Sequence, residues 1–349
     1  MQNQKIMIIM PCYNKGSYIS QAIESVLMQK THFKFQLLII DDLSTDDSYS
    51  IAMQYQKNHP ELIRIMKNSQ NEGCLATTLK GYERIKSDYF CVLDPDDYWI
   101  DQDYLQNAID FLESHHDHTI HIANTMIDRE GKLTPLHNHT NAMSYDLEQI
   151  DNCIWGHTSG TIFRNIIFKH EVPNYLYEQI ATENEKCFEG DSFRNFIHLT
   201  KGKAYYSGGE AKSVYRITNE GIWTKYSLQE QHLMNAQFYL LMLEYFKPTH
   251  PDFYIKSTWR YLLNYITTVY STDHLNESNA KRTPRFDNLL LKCLKSFNLI
   301  DDTNEIIVAN LNALQKVNCK PSQSIKSLMR KSAMPFRHLQ RVVKKIFHA

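Results

Sequence analysis

The chain lacks the features that mark membrane-spanning, nucleic-acid-binding and disulfide-stabilised proteins. No run of about 18 apolar residues occurs, so we expect no segment that spans a bilayer. Lys and Arg number 38 against 39 Asp and Glu, and the formal net charge of -1 gives no electrostatic reason to expect a nucleic-acid partner. The seven cysteines are scattered without a C-x-x-C pair, which indicates reduced thiols in a cytoplasmic protein.

Two glycine-rich nucleotide-binding motifs are also missing. No G-x-G-x-x-G follows the first apolar run, Ile6 to Met10, and no G-x-x-x-x-G-K-[ST] occurs anywhere. Because such loops let backbone N–H groups approach phosphates, their absence argues against a dinucleotide-binding domain and a P-loop nucleotidase. The first apolar run is also too short for the core of a signal peptide, so we expect no cleavable leader.

Short apolar runs alternate with helical patterns from residue 5 to about 125. Ile6 to Met10, Phe35 to Ile40 and Tyr89 to Leu93 are typical of buried strands, and apolar residues recur at helical spacing between them. This alternation predicts an α/β fold with a largely parallel sheet.

The pattern changes twice further along the chain. Residues 126–225 are mixed, whereas residues 226–349 are helical and aromatic. We therefore expect a first domain over residues 1–225 and a helical C-terminal region over residues 226–349. No pattern indicates an oligomeric state.

Three polar clusters follow directly on predicted strands. They are Pro11-Cys12-Tyr13-Asn14-Lys15, Asp41-Asp42 and Asp94-Pro95-Asp96-Asp97. Ligands of such sheets bind beyond the carboxyl ends of the strands, so the clusters should meet at one edge. Carboxylates as close as those of the third cluster repel one another unless a cation or a hydrogen-bonded ligand lies among them. The third cluster thus predicts a divalent metal holding a phosphate, with a solvated acidic turn or a helix N-cap as the alternative.

Five segments in order resemble the successive motifs of family 2 glycosyltransferases, which have the GT-A fold. They are P-C-Y-N-K-G-S-Y-I, L-L-I-I-D-D-L-S-T-D, N-E-G, L-D-P-D-D-Y-W and E-G-D-S-F. The resemblance implies a GT-A mixed sheet flanked by helices, with a nucleotide-binding half at about 1–125 and an acceptor half at about 126–225. It also implies an inverting transfer from a UDP-sugar to a hydroxyl of a glycan or lipid-linked acceptor, as in bacterial assembly of surface polysaccharide such as lipopolysaccharide or capsule.

The resemblance also implies a donor site. Pro11, Tyr13 and Asp42 would surround uracil, with Asp41 beside them. Lys15 would either reach the phosphates or remain solvated. Where relatives often have an Arg-Asn pair this chain has Thr78-Leu79, so a contact common in relatives is either missing or supplied by Lys80.

The acidic cluster would hold ribose and metal. Asp94 matches the residue that faces the ribose, and Asp96 matches the ligand of a Mn²⁺ or Mg²⁺ cofactor. Asp97 would be a second metal ligand or the N-terminal cap of the following turn, because the alignment of the triplet is ambiguous by one residue.

The base and the diphosphate loop come from the acceptor half. Asp191 matches the catalytic carboxylate at the start of a helix, but this chain reads Glu-Gly-Asp where relatives commonly show Gly-Glu-Asp, so Glu189 is the rival base. Arg216 would bind phosphate oxygens and Trp223 would help to exclude water. Thr218 stands where family members often have His, which puts a histidine contact in doubt.

The histidines allow further interpretations. His157, in a Gly-His-Thr-Ser-Gly turn, either faces the acceptor or is a structural histidine. We interpret His115, His116, His118 and His121 as solvated surface residues, because they straddle a helix end and the next strand.

Two other functions fit parts of this pattern. A sugar-nucleotide nucleotidylyltransferase also uses Asp and a metal on an α/β sheet, but it should have a Gly-rich, Lys- or Arg-bearing loop after the first strand. A non-catalytic module that only binds a nucleotide-sugar would keep the same pocket.

The end of the chain forms a basic amphipathic pattern. Leu339, Val342, Val343, Ile346 and Phe347 share one helical face, and Arg337, Arg341, Lys344 and Lys345 share the other. Such a helix either docks on the anionic inner face of the cytoplasmic membrane or packs on its own domain or a second subunit.

Membrane docking predicts that truncation before Pro335 weakens co-sedimentation with anionic liposomes. Each basic residue near such a surface contributes about 1 kcal/mol of attraction, so removal of the segment should leave most of the protein in the supernatant. Neutral liposomes provide the control. Equal sedimentation of the full-length and truncated chains would exclude the docking alternative.

Overall fold

The structure is a computed structural model that describes residues 4–182, 185, 188–218, 221, 226 and 228–246. The chain divides into two compact units, Met1–Lys225 and Tyr226–Ala349. The assignment of nucleotide and acceptor halves within the first unit remains a prediction. Trp223 and the basic C-terminal segment lie outside the described residues, so their predicted roles remain predictions too.

Twelve strands are found among the described residues of the first unit. They are β1 (Ile6–Cys12), β2 (Phe35–Asp41), β3 (Ile63–Lys67), β4 (Tyr89–Val92), β5 (Tyr98–Trp99), β6 (His118–Ile122), β7 (Thr125–Arg129), β8 (Lys132–Pro135), β9 (Met143–Tyr145), β10 (Thr161–Arg164), β11 (Lys203–Tyr206) and β12 (Ser213–Arg216).

Helices alternate with these strands. They are α1 (Ile19–Leu27), α2 (Ser48–Asn58), α3 (Cys74–Tyr82), α4 (Tyr104–Ser114), α5 (Asn174–Tyr177) and α6 (Gly190–Leu199), with 3₁₀ turns at Leu147–Asn152 and Thr158–Gly160. In the second unit the structure describes one helix, α7 (Leu228–Phe246). No helix in the described part of the chain combines the length and apolar character needed to cross a bilayer.

The main sheet has eight strands in the order β3-β2-β1-β4-β10-β6-β11-β9. The first four strands are parallel, whereas β10 runs antiparallel to both of its neighbours and β9 antiparallel to β11. A second sheet has the order β5-β12-β7-β8. The main sheet is therefore mixed and flanked by helices, which confirms the predicted fold class.

Burial on both faces explains the continuous apolar runs of the parallel strands. Every residue of β1 is buried, and β4 is likewise buried throughout. The helix α1 covers one face with Ile19, Ala22 and Ile23, all fully buried. Polar side chains are therefore excluded from the strands and collect at their ends.

The carboxyl ends of β1, β2 and β4 meet at one edge. Cys12 lies opposite Asp41 in the β1–β2 register, and the Asp42 N–H donates to the Cys12 carbonyl at 2.8 Å. The Leu93 N–H donates to the Ile9 carbonyl at 2.9 Å, which brings the acidic cluster after β4 to the same edge. Three loops distant in sequence thus share one position in the fold.

The interpretation of four histidines as surface residues is wrong for two of them. His115 and His116 are exposed, but His118 and His121 are each only 5% exposed because they belong to β6, which lies inside the main sheet. His118 contacts Asp117 Oδ1 and Ser144 Oγ at 2.8 and 2.9 Å. Burial lowers the pKa of His121 to about 3, so this ring is neutral.

We expect Gly81→Ala to lower the free energy of unfolding by about 1–3 kcal/mol. Gly81 lies where α3 packs on β1, and a Cβ there would lie 2.5 Å from Cγ2 of Ile9 and 3.4 Å from Cδ1 of Ile40. This overpacking should outweigh the gain in helix propensity of about 1 kcal/mol. Urea denaturation measures the change.

Thr78→Ala on the same helix provides the control. Its hydroxyl is partly exposed and donates only to the Cys74 carbonyl, so the effect should stay within about 0.5 kcal/mol. Wild-type stability of Gly81→Ala would contradict the close contact between α3 and β1.

Candidate active site

Asp42 holds the loop that leads into α3. Its Oδ1 accepts hydrogen bonds from Asn68 Nδ2 at 2.7 Å and from the Glu72 N–H at 2.8 Å, and Oδ2 accepts from the Gly73 N–H at 2.9 Å. The side chain is only 2% exposed. Gly73 has a φ of +90°, which favours glycine at this turn. Asp42 therefore fixes the conformation of the Asn71-Glu72-Gly73 loop beside the end of β2.

Lys80, the predicted substitute for a missing contact, lies in α3 and reaches back to this loop. Its ammonium donates to Asn68 Oδ1 at 2.9 Å and to Glu72 Oε1 at 2.7 Å. Lys80 thus stabilises the Asn71-Glu72-Gly73 loop through these two hydrogen bonds.

The other residues of the predicted uracil pocket surround the ends of β1 and β2. Pro11 is buried within β1, and Asp41, 1% exposed, accepts from the Ser44 N–H at 3.2 Å. Tyr13 is 45% exposed. The backbone after it is anchored because Asn14 Oδ1 accepts from the Thr45 N–H at 2.8 Å. A fixed backbone thus presents an exposed aromatic ring at the sheet edge.

The acidic cluster after β4 forms a turn closed by the Asp97 N–H, which donates to the Asp94 carbonyl at 3.0 Å. Burial and the charges of Asp96 and Asp191 raise the pKa of Asp94 to about 7, whereas Arg194 and Lys15 oppose the shift. Asp94, Asp96 and Asp191 therefore lie within electrostatic reach of one another. The predicted ribose, metal and base residues converge in the fold.

Asp96 already faces a cation. Its Oδ2 lies 2.7 Å from Nζ of Lys15, and both side chains are largely buried, at 17% and 15% exposure. The Lys15 N–H donates to Ser48 Oγ at 2.7 Å, which fixes the lysine backbone over the start of α2. Because this largely buried carboxylate already pairs with one positive charge, it has the chemistry needed to bind a cation.

Arg216 reaches the same turn from the second sheet. Its Nη1 donates to the Asp96 carbonyl at 2.7 Å and its Nη2 to Gln21 Oε1 at 2.6 Å. The guanidinium lies 5.0 Å from the ring centroids of both Tyr18 and Tyr98. Stacking on two rings stabilises and orients the cation beside the acidic turn.

The remaining carboxyl of the cluster is enclosed. Asp97 is 1% exposed, its Oδ1 accepts from the Arg216 N–H at 3.0 Å, and its Oδ2 lies 3.3 Å from Nδ1 of His157. Burial and the charges of Asp94 and Asp96 raise the pKa of Asp97 well above its usual value. Burial lowers the pKa of His157 to about 4, so its imidazole is neutral.

His157 belongs to the turn that glycines allow to approach the sheets closely. A Cβ on Gly160 would lie 2.7 Å from Thr125 Oγ1 and 2.8 Å from the Ala123 carbonyl oxygen. The buried Trp99 Nε1 donates to the Ser159 carbonyl at 2.7 Å, which ties the turn to β5. The Gly-His-Thr-Ser-Gly segment therefore brings His157 to the acidic cluster.

Asp191 is an exposed residue in the first turn of α6. Its Oδ1 accepts from the Ser192 N–H at 2.8 Å, and Thr158 Oγ1 donates to Oδ2 at 3.4 Å. The rival base, Glu189, precedes the helix, and its Oε2 accepts from Ser192 Oγ at 2.8 Å. Burial, and then the charge of Asp191, raise the pKa of Glu189 to about 8. Glu189 is thus protonated at neutral pH, whereas Asp191 faces solvent.

Arg194 and Tyr82 are contributors that the sequence analysis missed. Arg194 is 2% exposed, its Nη1 donates to Tyr82 Oη at 2.8 Å, and Nε and Nη2 have no hydrogen-bond partner among the described residues. Its charge lowers the pKa of Asp94. No local signal marked Arg194, because its hydrogen-bond partner Tyr82 lies 112 residues earlier in the chain.

The residues of the cluster fit a divalent cation. Mg²⁺ and Mn²⁺ take oxygen ligands and commonly complete their shell with phosphate and water, so one or two carboxylates suffice. Asp94 and Asp96 offer such oxygens at one edge. Within the described part of the chain no group of three or more His, Cys, Asp or Glu side chains forms a complete metal cage.

The chain is similar to known proteins of one enzyme family. Residues 7–175 match the profile described as Glycosyl transferase family 2. The chain is 29% identical to the minor teichoic acid biosynthesis protein GgaB of Bacillus subtilis over 224 residues, which are 63% of this chain and 24% of GgaB. It is 28% identical to the putative teichuronic acid biosynthesis glycosyltransferase TuaG of Bacillus subtilis, over 62% of this chain and 81% of TuaG. The chain thus spans about a quarter of GgaB but most of TuaG.

A solved structure of S. aureus TarS residues 1–349, in complex with UDP-GlcNAc, has a similar fold. The TM-score is 0.61 at 17% identity, over 84% of this chain and 81% of the TarS chain. The fold is therefore GT-A: its main sheet is mixed, and polar clusters lie at the carboxyl ends of the parallel strands. Residues 7–175 form a glycosyltransferase family 2 domain, and the resemblance and enzyme class expected from the motifs are confirmed.

We expect Glu189→Gln to become more stable relative to wild type as the pH rises. The pKa of Glu189 increases from an ordinary 4.5 to about 8 in the folded chain. Such a group stabilises the folded state fully below pH 4.5 and loses that contribution as the pH rises through about 8. Because Gln does not titrate, it avoids this loss. Denaturant unfolding at about pH 5 and about pH 8 measures the difference.

Glu61→Gln is the matched control, because Glu61 is exposed between α2 and β3. As an exposed substitution, it should change the free energy of unfolding by no more than about 0.5 kcal/mol. A Glu189→Gln difference that is the same at both pH values would show that Glu189 does not titrate in this range.

Proposed function

We propose that the protein is an inverting glycosyltransferase that moves a sugar from a UDP-sugar to a hydroxyl of a glycan or lipid-linked acceptor. The convergence of Asp94, Asp96 and Asp191 beside the cations of Lys15 and Arg216 is the observation that carries this proposal. Such a site combines positive charge for a diphosphate with a carboxylate for an acceptor proton.

In this proposal the donor lies along the carboxyl edge of β1, β2 and β4. Tyr13 contacts the base, and the loop held by Asp42 forms the floor beneath it. Asp94 accepts a ribose hydroxyl, while Lys15 and Arg216 bind diphosphate oxygens by charge-assisted hydrogen bonds. The closeness of the two cations to Asp96 supports this arrangement.

The metal fits the same edge. Asp96, with Asp94 beside it, would hold Mn²⁺ or Mg²⁺ through carboxylate oxygens. When bound, the cation supplies charge stabilisation for the departing diphosphate. Asp96 suits this role because its side chain stays partly exposed, whereas Asp97 is buried.

Transfer requires a base, and Asp191 is the exposed carboxylate at the acceptor side. It takes the proton of the acceptor hydroxyl, whose oxygen forms a bond to the anomeric carbon on the face opposite the diphosphate. The bond between that carbon and the phosphate oxygen breaks, and UDP leaves with the electron pair. Lys15 and Arg216 stabilise the negative charge that develops on the diphosphate. This displacement inverts the anomeric centre.

The relatives support the class of donor and acceptor. GgaB and TuaG are named for teichoic and teichuronic acid biosynthesis, and TarS was solved with UDP-GlcNAc. A UDP-sugar donor and a cell-surface polymer or its lipid-linked precursor are therefore the substrates we propose. An acceptor of this kind would place the enzyme at the cytoplasmic face of the membrane.

We expect Asp191→Asn to retain UDP-sugar binding and to lose transfer by about 10²–10⁴-fold, because the amide cannot accept the proton. Thermal shift against a panel of UDP-sugars, with and without Mn²⁺, measures binding. UDP release in the presence of acceptor glycans measures transfer. Wild-type stabilisation by one UDP-sugar, larger with Mn²⁺, is the expected result.

Asp110→Asn, an exposed substitution on α4, is the control and should leave transfer unchanged. Loss of transfer in Glu189→Gln but not in Asp191→Asn would assign the base to Glu189. A wild type that binds UDP-sugars yet releases no UDP with any acceptor would favour a non-catalytic binding module.

A further inference from the structure

The three carboxyls of the acidic turn are not equivalent. Asp96 is partly open and pairs with an ammonium at 2.7 Å, whereas Asp97 is enclosed at 1% exposure. A cation that also binds a diphosphate keeps phosphate oxygens and waters in its shell, so its protein ligand must face the cleft. Asp96 meets this requirement, while Asp97 is turned into the protein.

The two oxygens of Asp97 face two different segments. Oδ1 accepts the Arg216 N–H at 3.0 Å, at the end of β12. Oδ2 lies 3.3 Å from Nδ1 of His157, in the turn before β10. The His157 ring in turn stacks on Tyr215, with centroids 4.0 Å apart and planes 20° from parallel. Asp97 thus joins β12 and the histidine turn directly beneath Asp96.

Both segments carry groups that point back to the site. The Arg216 guanidinium returns to the Asp96 carbonyl at 2.7 Å. Thr158, next to His157, donates to Asp191 Oδ2 at 3.4 Å. A displacement of either segment would therefore move a phosphate-binding group or the surroundings of the base. A buried carboxyl is costly unless it is partnered. Oδ1 of Asp97 has the Arg216 N–H, whereas Oδ2 has no hydrogen-bond partner among the described residues and has the His157 ring as its neighbour at 3.3 Å.

We propose that Asp97 is a positioning residue and not a ligand of the divalent cation: it fixes Arg216 and His157 on either side of Asp96. The proposal rests on the proposed function for the substrates that Arg216 and His157 would face. In this arrangement the buried Asp97 holds both the diphosphate side and the acceptor side of the site in position.

Substitution by Asn and Ala separates the two roles. Asp97→Asn keeps an acceptor oxygen for the Arg216 N–H and places an amide beside His157, whereas Asp97→Ala keeps neither. A metal ligand would lose affinity in both variants, because an amide oxygen carries no charge. A positioning residue would be rescued by Asn. Asp96→Asn is the matched comparison within the same turn.

The affinity of Mn²⁺ in the presence of UDP, measured by electron paramagnetic resonance titration, is the first readout. We expect Asp97→Asn to keep the wild-type affinity and Asp96→Asn to lose roughly tenfold or more. An Asp97→Asn variant that loses as much Mn²⁺ affinity as Asp96→Asn would overturn the proposal.

The second readout needs neither nucleotide nor metal. The imidazole ¹⁵N signals of His157, assigned with His157→Gln, should shift further in Asp97→Ala than in Asp96→Asn, because Asp97 lies 3.3 Å from the ring whereas Asp96 acts on it through its charge. Unchanged His157 signals in a folded Asp97→Ala would refute the positioning role. A wild type that binds no Mn²⁺ with UDP would instead refute the proposed function, and the NMR comparison would still decide the role of Asp97.

Discussion

Repulsion among carboxyl groups at one edge of the main sheet is the constraint on which the rest of the site depends. Burial, and then the charges of Asp96 and Asp191, raise the pKa of Asp94 to about 7. The fold meets this cost with cations from separate elements, including Lys15 after β1 and Arg216 at the end of β12. Such a site concentrates negative charge and surrounds it with fixed positive charge, which are the groups that the proposed function requires for a metal and a diphosphate.

Burial divides the aspartates of this edge into two groups. Asp41, Asp42 and Asp97 are almost completely enclosed and accept backbone N–H groups, from two loops for Asp41 and Asp42 and from the end of β12 for Asp97. Asp96 and Asp191 retain access to the cleft. The enclosed carboxyl groups fix the backbone around the site. The accessible carboxylates can therefore bind a ligand with little loss of conformational entropy.

Much of the fold could be predicted from the sequence because parallel strands buried on both faces need continuous apolar runs. The runs at β1, β2 and β4 marked the strands, and the polar residues after them marked the edge. The same reasoning failed for His118 and His121. Their burial depends on neighbours from β10, β11 and α4, which no local pattern contains. Arg194 was missed for the same reason, since its partner Tyr82 lies 112 residues earlier.

The sequence by itself determined the α/β class, the order of the motifs and the residue types of the candidate site, since these follow from hydrophobic periodicity and from the side chains needed for phosphate, metal and proton chemistry. Only the tertiary structure decided how the environments of Asp96 and Asp97 differ. Neighbouring carboxylates in a turn have the same local chemistry, but packing leaves Asp96 facing Lys15 and encloses Asp97 between Arg216 and His157. Burial and partners supplied by distant strands create that difference, and the sequence of a single turn does not encode them.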